Sequence, residues 1–276
     1  MRKNWIRVVL AYTVLIGWTV FCLFPFTTTL LIALKPKDAF MSLPPDYFSL
    51  NLTLENFKIV LGDENWVGYY INTIIIASFA SLIAVVVGSL AAYSFSRYDF
   101  RFKNFLMIFI LVLQMIPASS IIIPLYNMFA EFNLLDTYLV LILVDSVGSM
   151  PLIIWLMRGY FETIPRELEE AAFIDGSSGM KAFWKITFPL AAPGIAASAI
   201  YAFVRAFNDY IMVRTLAGSK VVTYTVGLTM FTNQYEGIDM NLVSAASFTA
   251  LVPVIVMFAL FHKHFVIGMT GGALKE

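Results

Sequence analysis

Residues 65–96 read NWVGYYINTIIIASFASLIAVVVGSLAAYSFS, a run with no charged side chain. A hydrocarbon core of about 30 Å takes about 20 residues of α-helix, so this run is long enough to cross a bilayer. Transmembrane β-strands would read as segments of about ten residues alternating apolar and polar. Neither this run nor the rest of the chain alternates that way. Outward from it, uncharged runs also cover 8–34, 104–130 and 240–262, whereas 137–157 contains Asp145 and 186–213 contains Arg205 and Asp209. The expected spans are six helices at about 8–34, 67–95, 105–129, 137–157, 189–213 and 241–262. The composition agrees. Of the 276 residues, 60% are hydrophobic and 13% charged, against roughly 45–50% and 25% in soluble domains, and the mean hydropathy is +0.81. So few charges cannot cover that much apolar surface in water. A soluble enzyme, a nucleic-acid binder and a disordered tail are excluded.

The 18 basic and 18 acidic residues cancel, but their placement is informative. With six spans both ends share one side. That side holds Arg2, Lys3, Arg7, Arg97, Arg101, Lys103, Arg158, Arg166, Lys181, Lys185, Lys263 and Lys275, against Lys35, Lys37, Lys58, Arg214 and Lys220 on the other. The positive-inside rule puts both termini in the cytoplasm. The first apolar run is far longer than the apolar region of a signal peptide and is followed by no A-x-A site, so it is expected to be retained as a span. Cys22 is the single cysteine, which excludes an intrachain disulfide and a cysteine-based metal cluster. His262 and His264, two apart, point in different directions on a helix, so no metal site and no cofactor are expected. The chain is read as one membrane domain over 1–276.

The longest inner loop, 158–189, is polar in a chain otherwise short of charge. Pro165 is a helix-opening signal, and Glu167, Glu169 and Glu170 suit the positive end of a helix dipole. Leu168, Ala171 and Ala172 share a face shallow enough for another backbone to approach. Gly176 fits the left-handed position that stops a helix, and Ser177 or Ser178 then caps a second short helix. There Met180, Phe183 and Trp184 form an apolar face, with Lys181 and Lys185 turned away, and Pro189 opens the next span. This helix-turn-helix fits either an amphipathic linker on lipid headgroups or a docking surface for a soluble partner.

Glu170-Ala171-Ala172, then Gly176, then Ile186-x-Phe188-Pro189 resembles the EAA loop of permease subunits of bacterial ABC importers, with Phe188 where leucine is usual. Asp175, Phe183 and Pro193 resemble the carbohydrate branch of that family. Phe203, Asn208-Asp209-Tyr210 and Thr225-Val226-Gly227-Leu228 are similar to its fifth span and outer loop. The tail from Phe265 through Gly268, Gly272 and Lys275, with Glu276 in place of glycine, is similar to that of a maltose-type subunit. The resemblance implies a six-helix type I importer permease in the bacterial cytoplasmic membrane. It implies a sugar cargo, a cytoplasmic ATPase dimer, a second permease subunit, related but not identical, and an extracytoplasmic sugar-binding protein. It also implies that Glu170, Ala171, Ala172, Asp175, Gly176, Phe183 and Pro189 serve ATPase coupling. Glu170 would make a charge-assisted contact on the ATPase or within the loop. The tail would reach the ATPase and the 216–239 loop the binding protein. A polyol or a glycerol-phosphate compound is an alternative cargo.

The chain has no G-x-x-x-x-G-K-[ST] phosphate loop, so an ATP-driven role requires a separate ATPase chain. It is not expected to be an enzyme. Ionisable residues within spans face a polar interior or a pathway. Gln114, Asp145, Asn208, Asp209 and Tyr210 are the candidate path residues, offering acceptors and an aromatic face to a sugar, with Trp155 a second stacking candidate. Arg205 and Asp209, four apart on one helix, are equally spaced to neutralise one another. An ion-coupled secondary transporter would usually show inverted repeats with broken helices at matching positions. Pro25, Pro117 and Pro124 show no such pairing.

Overall fold

The computed structural model describes residues 2–36, 51–233 and 237–273. Pro44-Pro45 of the first outer loop, and Leu274, Lys275 and Glu276 of the tail, lie outside the described residues. In chain order the helices are α1 (Arg2–Ala33), α2 (Glu55–Gly62), α3 (Glu64–Arg97), α4 (Lys103–Leu113), α5 (Ala118–Glu131) and α6 (Tyr138–Glu162). Next come α7 (Glu167–Ile174), α8 (Gly179–Ala182), a π-helical turn (Phe183–Thr187), α9 (Phe188–Leu190), α10 (Ala192–Phe207) and α11 (Ile211–Leu216). Then follow α12 (Tyr224–Leu228), a two-residue antiparallel pair joining Thr232 to Ile238 and Asn233 to Gly237, and α13 (Met240–Ala273).

Among the described residues four helices are long and apolar enough to cross a membrane: Arg7–Ala33, Glu64–Arg97, Tyr138–Glu162 and Met240–Leu260. Two bent pairs bring the number to as many as six if each pair is counted as one span, Lys103–Leu113 with Ala118–Glu131 at 91° and Gly179–Leu190 with Ala192–Phe207 at 81°. The protein is an all-α membrane protein. Two of the expected continuous spans are therefore broken, for local reasons. In the third, Pro117 bars helical backbone at Ile116, and the preceding turn tightens into i→i+3 bonds from Gln114, Met115 and Ile116 to Leu111, Val112 and Leu113. In the fifth, Pro189 does not open the span as expected but lies within the continuous helical run Gly179–Leu190, which stops at Ala191, and α10 starts again with Pro193 in its first turn, where a missing N–H costs nothing. It stops once more at Asn208, before α11.

The chain packs as two compact units, 1–68 with 227–252 and 69–226 with 253–276. In the first, two asparagines satisfy the carbonyls left open at the end of α1. Asn56 Nδ2 donates to the carbonyls of Ala33 and Lys35, each at 2.8 Å, and Asn241 Nδ2 donates to Lys35 at 2.6 Å. The apolar window of α1 is wholly unburied, the state of a helix whose solvent is lipid or another chain.

In the second unit α10 lies along α6. Its buried residues Gly194, Ser198, Ala202 and Ala206 recur every fourth position, the small-residue spacing that lets membrane helices approach closely. Among the described residues two apolar clusters lie in this unit. One, near the 158–189 loop, gathers Tyr93, Phe95, Met107, Met157, Phe161 and Phe183. The other gathers Ile76, Phe129, Leu141, Val213, Leu216 and Val222.

Candidate functional site

The loop between α6 and α10 folds as two short helices around a left-handed glycine. Three glutamates occupy the first turn of α7, where the helix dipole favours them. At its end Gly176 takes φ +81°. Ser177 N–H donates to Ala172 O at 2.8 Å and Gly176 N–H to Phe173 O at 3.0 Å, the paired bonds of a Schellman stop. Ser178 Oγ then accepts from Lys181 N–H at 3.4 Å, capping α8.

Of the residues expected to serve coupling, Glu170, Ala171, Asp175 and Pro189 are exposed and Ala172 is half-buried, whereas Phe183 is fully buried. Leu168, Phe173 and Ile174 are also exposed, so α7 carries an uncovered apolar surface beside Glu170. The expected apolar face of Met180, Phe183 and Trp184 splits apart. The backbone turns π-helical at Phe183, which changes the angular phase, so Phe183 goes inward while Met180 and Trp184 stay outside. Phe183 packs on Tyr93 and Trp184, both at 4.8 Å between ring centroids, on Phe188 at 5.6 Å and on Phe161 at 6.0 Å.

The loop's charge-assisted contact is made by Glu169, the neighbour of Glu170, and it reaches out of the loop to Arg97 at the end of α3. The Glu169 carboxylate accepts from Arg97 Nε at 2.7 Å, Tyr93 Oη at 2.7 Å and Thr187 Oγ1 at 2.8 Å. The side chains of the Arg97–Glu169 pair are 8% and 5% exposed. Burial alone pushes the Glu169 carboxyl up, but hydrogen bonds from Tyr93, Thr187 and Arg97, together with the Arg97 charge, outweigh it and hold the group below its usual value. Two more bonds brace the same corner, Arg97 Nη2 to Ile164 O and Arg166 Nη2 to Ser96 O, both at 3.1 Å. The sequence marks Glu169 only as one of three acids in a first turn. Two of its partners, Tyr93 and Arg97, lie more than seventy residues away on α3 and the third, Thr187, lies on the π-helical turn, so no local pattern joins them.

The second site is a cavity of about 600 Å³ among α4, α5, α6, α10 and α11. Gln114, Asp145, Gly148, Pro151, Arg205 and Asp209 bring polar groups or backbone to a mainly apolar wall. Three of the expected path residues therefore converge there. Asn208 and Tyr210 do not line it. The Asn208 side chain is engaged elsewhere, donating to Val204 O at 2.8 Å and accepting from Tyr224 Oη at 3.0 Å. Trp155 holds helices together, its Nε1 donating to Met107 O at 3.0 Å.

Among the described ion pairs none joins Arg205 to Asp209. Arg205 instead donates to Asp145 O and Ser149 Oγ, each at 3.3 Å, with its guanidinium against Gly148. Asp209 Oδ1 accepts from Met212 N–H at 3.1 Å and so serves the start of α11. Of the residues at the helix break 208–210, Asp209 alone reaches the cavity lining. Among the described residues no group of three metal-binding side chains occurs.

Residues 84–266 match the family described as binding-protein-dependent transport system inner membrane component. The trehalose/maltose transport system permease protein MalG of Thermococcus litoralis is 34% identical over 279 residues, covering 100% of this chain and 99% of that protein. The maltodextrin transport system permease protein MdxG of Bacillus subtilis is 35% identical, covering 83% of this chain and 82% of its own. In fold, the chain is similar to a subunit in the crystal structure of a bacterial ABC transporter involved in the import of the acidic polysaccharide alginate. The TM-score is 0.78 at 22% identity, covering 96% of this chain and 98% of that one.

Proposed function

Because the chain belongs to the family of binding-protein-dependent transport system inner membrane components, we propose that it is the permease subunit of an ABC importer that moves a sugar or oligosaccharide. In this reading both termini and the 158–189 loop are cytoplasmic, as the distribution of Lys and Arg favours. A separate ATPase dimer supplies the energy, a second permease subunit completes the pathway, and an extracytoplasmic binding protein delivers the cargo. The relatives named for trehalose, maltose and maltodextrin support the sugar assignment.

The observation that carries the coupling role is α7, which ends on Gly176 in left-handed conformation and leaves Leu168, Ala171, Phe173 and Ile174 uncovered. The exposed apolar residues and Glu170 dock on the ATPase. Ala171 and Ala172 keep the contact shallow, Gly176 with Asp175 sets the turn, and Phe183 anchors the loop to the spans. Pro189 sits in the bent lead-in to α10 and hands the movement to that helix. On the cargo side, Gln114, Asp145 and Asp209 offer acceptors to sugar hydroxyls within the cavity, with Arg205 as a donor and the apolar wall facing the C–H surfaces of the ring.

Reconstitution tests this. Proteoliposomes holding the chain with its ATPase and second permease are expected to take up sugar only when ATP and the loaded binding protein are both present. Uptake driven by an ion gradient without an ATPase would overturn the reading. Glu170→Lys and Gly176→Asp are expected to insert normally and to lose the ATPase on co-purification. The sugar carried by the binding protein that co-purifies would identify the cargo.

A further inference from the structure

A carboxylate almost out of solvent at the root of the loop needs a reason. Taking two charges out of water costs several kcal/mol per ion, and a buried pair is often no more stabilising than apolar residues of the same volume. What such a pair does supply is geometry, because its partners fit in one arrangement. Here the Glu169 carboxylate, carried by α7, gathers three donors from two other elements, Tyr93 and Arg97 at the end of α3 and Thr187 on the π-helical turn. All three donors are matched, so any slide of α7 along α3 breaks several bonds together.

We infer that Glu169 is a positioning residue that clamps the coupling helix to the end of α3, so that a push on the exposed side of α7 is delivered to that span. This rests on the permease reading above, and it divides labour between neighbours. Glu170, exposed, meets the ATPase. Glu169, buried, ties the helix it sits on to the membrane domain. The crossed bonds from Arg97 to Ile164 O and from Arg166 to Ser96 O hold the linker ahead of α7 to the same corner. Phe183, enclosed by Tyr93, Phe161 and Phe188, fills the space behind the carboxylate. The π-helical turn inserts one extra residue per turn and so brings Thr187 Oγ1 round to Glu169. Without the carboxylate, Arg97 and Thr187 lose their common acceptor, and α7 keeps its fold while its tie to α3 loosens.

The test uses the complete importer in proteoliposomes, measuring ATPase co-purification, ATP hydrolysis and sugar uptake together. Glu169→Gln is expected to retain the ATPase and its basal hydrolysis while uptake per ATP hydrolysed falls about tenfold, within the range carried by residues that couple sites without touching ligand. Tyr93→Phe and Thr187→Val, which each remove one donor and keep the ion pair, are expected to lose about threefold on the same scale. Thr187→Ser, which keeps the hydroxyl, should match wild type. Should Glu169→Gln fail to insert, Tyr93→Phe and Thr187→Val carry the test.

Unchanged uptake per ATP in all the donor and acceptor variants would overturn the clamp. So would loss of the ATPase from Glu169→Gln with uptake per ATP intact, because that would make Glu169 a docking residue. Wild-type protein that shows no ATP-driven uptake at all would instead defeat the permease reading, a different outcome from either.

Discussion

Two carboxylates pin loops at the two ends of α6, about 37 Å apart along its 25 residues, and they do so with opposite chemistry. Glu169, beyond the C-terminal end, is held by three side chains. Asp136, just ahead of the N-terminal end, is held by backbone alone. Its Oδ1 accepts from Gly218 N–H at 2.8 Å and Val221 N–H at 3.0 Å, and its Oδ2 from Ser219 and Lys220 N–H at 3.2 and 3.1 Å. Its own N–H donates to Leu216 O at 2.9 Å, from a left-handed φ of +58°. Four consecutive amides form a concave anion seat that almost any sequence at 218–221 could supply. The Glu169 seat needs Arg97, Tyr93 and Thr187 by identity. A backbone seat makes a static corner, whereas a side-chain seat is breakable at named positions, which suits the loop proposed to move.

The largest effect should come from unbalancing the buried pair. Glu169→Leu leaves the Arg97 guanidinium without its carboxylate, and we expect a loss of about 3 kcal/mol in detergent unfolding experiments, the lower end for such removals because the pair sits at a helix end. Adding Arg97→Met should return most of that loss, because two apolar residues replace two charges. A double variant as unstable as the single one would show that the pair itself stabilises the corner, and would remove the contrast with a purely geometric role.

At the other end, Asp136→Ala should cost less, about 1–2 kcal/mol, since three of the four amides it abandons belong to exposed residues and can find water. Asp136→Asn should fall between that and wild type, because its amide NH₂ meets N–H groups where an oxygen is wanted. Smaller still is Gly218→Ala, at about 1 kcal/mol. A Cβ there would sit 2.8 Å from Asp136 Oδ2, and the carboxylate must give way. Hydrogen exchange over 216–221 reads all three variants, and α7 should be untouched in each. Loss of protection in α7 from any of them would mean the two pins are linked along α6 and cannot be compared as independent corners.

How far these corners were legible in the sequence follows the same division. The spans, the α7–Gly176 stop and the α8 cap depend on neighbours in sequence, so runs of apolar residues, a glycine and a serine announce them. The breaks at Pro117 and Pro193 are local as well, and proline marks both, but their bends depend on how the flanking helices pack. The every-fourth-residue pattern at Gly194, Ser198, Ala202 and Ala206 was present to be read as a packing face. Glu169 was not legible, because its role is fixed by Arg97 and Tyr93 on another helix and by a π-helical turn that no periodicity anticipates. Nor was the fate of Arg205, whose partner by spacing is Asp209 but which bonds to α6 instead. Asp136 gave no signal either, since its partners are main-chain amides common to every residue except proline.

Acid should distinguish the two seats by salt rather than by position on the pH axis. Burial pushes both carboxyls up, but at Asp136 four backbone bonds outweigh it, and at Glu169 the Tyr93, Thr187 and Arg97 bonds do so. Both folded values are therefore depressed below the unfolded values of about 3.9 for Asp and 4.3 for Glu. Each group then contributes stability that is fully present above its unfolded value and is lost as pH falls through its lower folded value. From pH 8 to 5 neither group changes charge in either state, so protection of α7 and of 216–221 should stay level, after correction for intrinsic exchange rates. Below about pH 4 both should decline. Part of the Glu169 shift is the Arg97 charge, while Asp136 relies on backbone dipoles. High salt should therefore move the onset of α7 loss to higher pH, by less than for an exposed pair because burial limits screening. The 216–221 onset should hardly move. Equal salt shifts at both ends would erase the distinction between a charged seat and a backbone one. Loss of α7 protection between pH 6 and 5 would show that the Glu169 carboxyl is raised rather than lowered by its surroundings.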